Sequence, residues 1–152
     1  MNLSEQPDIY NWPESHYVFV EKIGPFMQTA PAAWQEFHKL VGGLTTDKSF
    51  LSVASLYKVK PQNLYRAGVL LKTKPAEIPS GLKYEKFHGG KYSRFTLTGP
   101  YSQLPEACGR VFAIVEKTSL ALRDDFFIEN YVNDPKTTPE EKLITEIMVP
   151  IQ

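Results

Sequence analysis

Two stretches decide the fold: YVFVEKIGPFMQ, residues 17–28, and YSRFTLTGPYSQ, residues 92–103. Tyr17, Gly24, Pro25 and Gln28 recur 75 positions later as Tyr92, Gly99, Pro100 and Gln103. Phe26 is answered by Tyr101, Ala32 by Ala107 and Phe37 by Phe112. Over Tyr17–Leu40 against Tyr92–Val115, six of 24 positions are identical. The match resumes at an offset of 74, where Tyr57 and Pro61 correspond to Tyr131 and Pro135. A duplicated unit implies two similar halves, and the seam between them is a natural place for a cleft.

Each copy reads as strand, helix, strand, strand. In the first, Tyr17–Ile23 is rich in aromatic and β-branched residues and stops at Gly24-Pro25. Thr29 suits an N-cap and Pro31 a first helical turn. Ala33, Trp34, Phe37, Leu40 and Val41 then fall on one helical face, and Gly42-Gly43 ends the helix. Strands are expected at Phe50–Val59 and Ala67–Lys72. In the second copy the elements are a strand at Lys91–Leu97, a helix over about residues 103–119, and strands at Phe126–Val132 and Ile144–Val149. Its helical stripe is Leu104, Cys108, Val111, Phe112 and Val115. The expected architecture is α+β: two βαββ repeats related by a pseudo-twofold axis, with antiparallel sheet and two helices forming a central groove. Residues 1–152 form a single domain on this reading, with repeat one at about 17–72, a connector at about 73–90 and repeat two at about 91–151.

The bulk composition excludes several classes. The chain of 152 residues carries 17 basic and 17 acidic side chains, so it lacks the basic excess of a nucleic-acid binder. No apolar run reaches membrane-spanning length. Met1–Pro13 is polar, unlike a signal peptide, and about sixteen residues precede the first repeat, too few for a DNA-binding domain. One cysteine, Cys108, allows no internal disulfide and suits a reducing cytoplasm. There is no Gly-rich phosphate loop and no His/Cys cluster at metal-ligand spacing, so neither cofactor nor metal is expected. His16, His38 and His88 read as surface or satisfied histidines, and Cys108 as a small buried hydrophobe.

Charge separates the halves. Residues 1–75 hold eight basic and six acidic side chains, and residues 76–152 hold nine and eleven. Within the acidic half, Glu129 sits mid-strand in FFIENYV, residues 126–132. Alternation places Phe127, Glu129 and Tyr131 on one face, with Phe126, Ile128 and Val132 on the other, taken as the helix side. A carboxylate between two aromatics is paired, protonated, or awaiting a cation. Its counterpart in the first repeat is Ser55, beside Val53 and Tyr57. The scaffold keeps the tyrosine twice and the acid once. The plainer alternative is a Glu129 that faces solvent or pairs with a Lys or Arg of the next strand. Tyr17 and Tyr92 likewise read either as site residues or as core aromatics.

The segments IENYVNDPKTTPEEKLITEIMVPI and GGKYSRFTLTGPY resemble the GyrI-like small-molecule-binding proteins, also found as effector-binding domains of bacterial multidrug-responsive regulators. The resemblance runs from about Tyr17 to Ile151. It implies two βαββ repeats forming a groove for hydrophobic, often cationic molecules, with the glutamate of the Glu-x-Tyr element, Glu129, at its base. It also implies that some stand-alone members are hydrolases of small electrophiles, which would assign Glu129 and Tyr92 as a catalytic pair. The first expectation is therefore a stand-alone binder of a small hydrophobic or cationic ligand, contacted by Glu129, Tyr131, Phe127, Tyr92, Tyr17, Tyr57 and Trp34, touching neither nucleic acid nor membrane. A hydrolase is the second reading, and a module with a protein partner is the third.

Overall fold

Alternating aromatic and β-branched residues, broken by Gly-Pro, set the order of elements in a computed structural model that describes residues 1–152. The first six strands are β1 (Asn2–Leu3), β2 (Asp8–Trp12), β3 (Ser15–Ile23), β4 (Phe50–Lys58), β5 (Leu64–Leu71) and β6 (Lys83–Phe87). The last three are β7 (Gly90–Thr98), β8 (Phe127–Tyr131) and β9 (Ile144–Pro150). Helix α1 (Phe26–Leu40) follows β3, and α2 (Leu104–Thr118) follows β7. The class is α+β, as expected. No helix is long and apolar enough to cross a membrane.

The chain divides into two units, one of Pro13–Gly90 and one of Met1–Trp12 with Lys91–Gln152. In the first, β5 pairs antiparallel with both β4 and β3, and β3 pairs with β6. In the second, β9 pairs antiparallel with both β8 and β7. Each βαββ copy thus folds with the same strand order: second, third, first. The stretch 73–90, expected as a connector, carries β6, which pairs with β3 from Ser15↔Phe87 to Phe19↔Lys83. The polar N-terminus also forms strands, for β1 and β2 both pair with β7. Arg94 fastens this segment through hydrogen bonds to Asp8 at 3.1 and 2.6 Å.

The helices depart from the expected boundaries for local reasons. Gly24, at φ 137°, turns the chain so that the Pro25 carbonyl already accepts the N–H groups of Gln28 and Thr29. Helix α1 therefore starts at Phe26, and Thr29 is not its N-cap; its hydroxyl bonds back to the Pro25 carbonyl at 3.2 Å. Pro31 consequently lies inside the helix, where it leaves the Met27 carbonyl without its helical donor. Met27 is 93% exposed, so water can reach that group. In the second copy, Tyr101–Gln103 forms a 3-10 turn before α2 begins.

That extra turn shifts the helix register. The buried stripe is Thr29, Ala33 and Phe37 in α1, but Ala107, Val111 and Val115 in α2. Ala33 therefore corresponds to Ala107 and Phe37 to Val111, an offset of 74. The identities that first reveal the repeat, Ala32 with Ala107 and Phe37 with Phe112, are not structural equivalents: Ala32 is exposed, and Phe112 is 38% exposed while Phe37 is fully buried.

The core of the second unit fixes its sheet faces. Phe95 and Leu97 of β7 and Ile147 and Val149 of β9 pack with Ala107, Val111 and Val115 of α2. Glu129 pairs with Ile147, and Tyr131 with Thr145. The helix side of β8 is thus Phe127, Glu129 and Tyr131, and Ile128 faces away. The opposite assignment was expected, with Phe126, Ile128 and Val132 on the helix side. Both faces are covered here, however: Ile128 and its partner Met148 are fully buried. Hydrophobicity alone does not tell two buried faces apart.

Candidate functional site

Glu129 lies mid-strand in β8 with its carboxylate turned toward α2. The Tyr131 hydroxyl donates to Glu129 Oε1 at 2.9 Å, and the Cys108 thiol donates to Oε2 at 3.3 Å. The Tyr131 ring meets the Tyr101 ring edge-on at 5.4 Å. Phe127, two residues before the glutamate, meets Phe112 edge-on at 5.3 Å and leans on the α2 core. Glu129 is packed round by protein but keeps part of its surface open. Burial pushes its carboxyl above the ordinary carboxylate range, while the hydrogen bonds from Tyr131 and then Cys108 pull it down. No ion pair links it to any Lys, Arg or His.

The equivalent place in the first unit is filled internally. Ser55 is fully buried, and its Oγ lies 2.6 Å from the Tyr65 hydroxyl. Trp34 Nε1 donates to that same hydroxyl at 2.8 Å. Tyr57 stacks with Tyr65 at 6.5 Å between centroids, and Phe26 meets Tyr57 edge-on at 5.6 Å. Trp34 and Tyr57 are thus brought together, around Tyr65.

Tyr17 and Tyr92 are placed elsewhere. Tyr17 pairs with Leu70, on the sheet face away from α1, and its hydroxyl donates to the Ala54 carbonyl at 2.8 Å. Tyr92 pairs with Pro150, which puts it on the face of β7 away from α2. Trp12 covers it edge-on at 6.1 Å, and the Arg123 guanidinium lies 5.0 Å from its ring centre. Its hydroxyl is buried, and the nearby Arg123 guanidinium partly offsets the upward push of burial on it. The sheet therefore separates Tyr92 from Glu129.

Three residues escaped the sequence reading. Cys108 read as an inert hydrophobe, yet it is only partly buried and bonds Glu129. Tyr65 fell before the expected strand at Ala67, whereas β5 begins at Leu64. Tyr101 read only as the partner of Phe26 in the repeat. The available signal was the i+74 relation, which aligns Cys108 with Trp34 rather than with Ala33.

Two βαββ units of the same strand order make up the fold. The chain belongs to the GyrI-like small molecule binding domain family, whose profile matches residues 5–152. It is similar to YosT, an SPbeta prophage-derived candidate transcriptional regulator of Bacillus subtilis (strain 168), at 31% identity over 93 residues. That match covers 61% of this chain and 59% of YosT, less than two thirds of the relative's length. Among solved structures, SAV2435 bound to tetraphenylphosphonium superposes with a TM-score of 0.78 at 15% identity, covering 96% of this chain and 93% of that one. The EcmrR C-terminal domain gives a TM-score of 0.70 at 16% identity, covering 100% and 99%. At these identities the two structures share the fold.

Proposed function

We propose that this protein binds hydrophobic cations, with Glu129 as the acidic anchor and Tyr131 and Phe127 as its aromatic flanks. The observation that carries this reading is the uncompensated carboxylate. A carboxylate withdrawn from water normally acquires a cationic partner or takes up a proton. Here neutral donors hold both oxygens and no side-chain cation approaches. A ligand that is both cationic and apolar supplies what is missing, because its charge offsets the carboxylate while its hydrocarbon surface covers the rings. Aromatic faces add cation–π attraction on the order of 1–2 kcal/mol once desolvated. The ligand class also agrees with the lipophilic cation held by SAV2435.

Calorimetric titration of wild type and Glu129→Gln with tetraphenylphosphonium tests the reading. Glutamine keeps the shape and removes the charge. The variant should bind about tenfold to a hundredfold more weakly. Equal affinities would remove Glu129 from the site.

A further inference from the structure

The two copies differ most at the helix residue that reaches toward the strand. In the first, Trp34 sends its indole N–H to Tyr65, which bonds Ser55. In the second, the register shift puts Cys108 at that place, with Glu129 where Ser55 stood. Tyr65 is replaced by Thr145, since Tyr57↔Tyr65 and Tyr131↔Thr145 are the matching pairs. The Thr145 hydroxyl is buried and bonds nothing, so it takes no part in holding the acid. An indole and a phenol have given way to a thiol and a threonine, which leaves more room beside the carboxylate and fewer donors.

We propose that Cys108 is a positioning residue for the cation site, its thiol fixing Glu129 from the helix while Tyr131 fixes it from the strand. The inference rests on the cation-binding reading above. One donor on each oxygen defines the carboxylate plane and keeps the remaining lone pairs free for a ligand. From α2, β8 and β9, the groups that face Glu129 are the Cys108 thiol, the Tyr131 hydroxyl, and the uncharged Ile147 and Thr145; Tyr101 stands behind Tyr131. None of these is a cation, and the hydrogen bonds from Tyr131 and then Cys108 oppose protonation of the acid. A thiol is a weak donor, small enough to leave the carboxylate reachable.

The test is a pH series of tetraphenylphosphonium titrations on wild type, Cys108→Ala, Cys108→Ser and Glu129→Gln, with circular dichroism to confirm folding. In wild type, affinity should fall as acid protonates Glu129. Cys108→Ala should move the midpoint of that fall to higher pH and weaken binding near it about three- to tenfold. Cys108→Ser restores a donor and should return the midpoint to the wild-type position or below it. An unmoved midpoint in Cys108→Ala, or equal displacement in the alanine and serine variants, overturns the positioning role, because a packing defect alone weakens binding without moving the midpoint. If Glu129→Gln binds as wild type does, the anchor itself is wrong and the role of Cys108 falls with it. Loss in Glu129→Gln with no displacement in Cys108→Ala removes the positioning role and leaves the anchor standing.

Discussion

Tyr92 and Glu129 lie on opposite faces of the same antiparallel ladder. Tyr92 shares its face with Pro150, Glu129 shares its face with Ile147, and the intervening β9 is regular from Ile144 to Pro150. A proton relay between the two side chains would have to pass through a sheet.

Tyr92→Phe should therefore leave tetraphenylphosphonium affinity within about twofold of wild type, the scale of change expected far from a binding contact. Burial pushes the Tyr92 hydroxyl up to about 12, so it stays neutral through the physiological range. A large loss of binding in this variant, measured by titration, would contradict the placement.

Glu129→Gln should stabilise the free protein at neutral pH. The folded-state pKa of Glu129 is raised above the ordinary value of 4.5, so the native state holds its proton longer than the unfolded chain. Between the ordinary and raised values the native state binds more protons, and stability falls as pH rises. The stabilising contribution is full below the unfolded value and is lost as pH climbs through the folded one. Denaturant titrations of wild type and variant should diverge above the ordinary carboxylate range and converge in acid.

Cation binding should release protons. A bound cation favours the ionised carboxylate, so it lowers the raised pKa of Glu129. Affinity for tetraphenylphosphonium should climb with pH through the free protein's Glu129 transition and level off above it. Calorimetry in buffers of different ionisation enthalpy would count the protons released within that window. No release at any pH would show that Glu129 does not change its charge on binding.

Gly68→Ala should destabilise the first unit by about 1–3 kcal/mol, the usual scale of overpacking. A Cβ at Gly68 would meet the Val18 carbonyl oxygen, Phe19 Cβ at 2.7 Å and Tyr17 Cε1 at 2.7 Å. The backbone oxygen cannot move aside without breaking the pairing of β3 with β5. A drop in the chemical-denaturation midpoint is the expected readout, and an unchanged midpoint would contradict this close approach.

Much of this protein was legible in the sequence because it depends on local chemistry. Alternating β-branched and aromatic residues, with Gly-Pro breaks, placed six strands, two helices and the repeat of βαββ. Glu129 stood out because a carboxylate between Phe127 and Tyr131 departs from the pattern around it. Edges and registers were not legible. β1, β2 and β6 are short strands whose order comes from pairing with β7 and β3. The face of β8 toward α2 depended on the ladder with β9, since alternation separates the two faces without saying which one meets the helix. The partners of Glu129 depended on a 3-10 turn at Tyr101–Gln103, which rotated α2 by one residue and brought Cys108, not its neighbours, to the carboxylate. Sequence determined that one acid would sit in an aromatic setting; only tertiary structure decided which side chains hold it, because that is a matter of distance across elements remote in the chain.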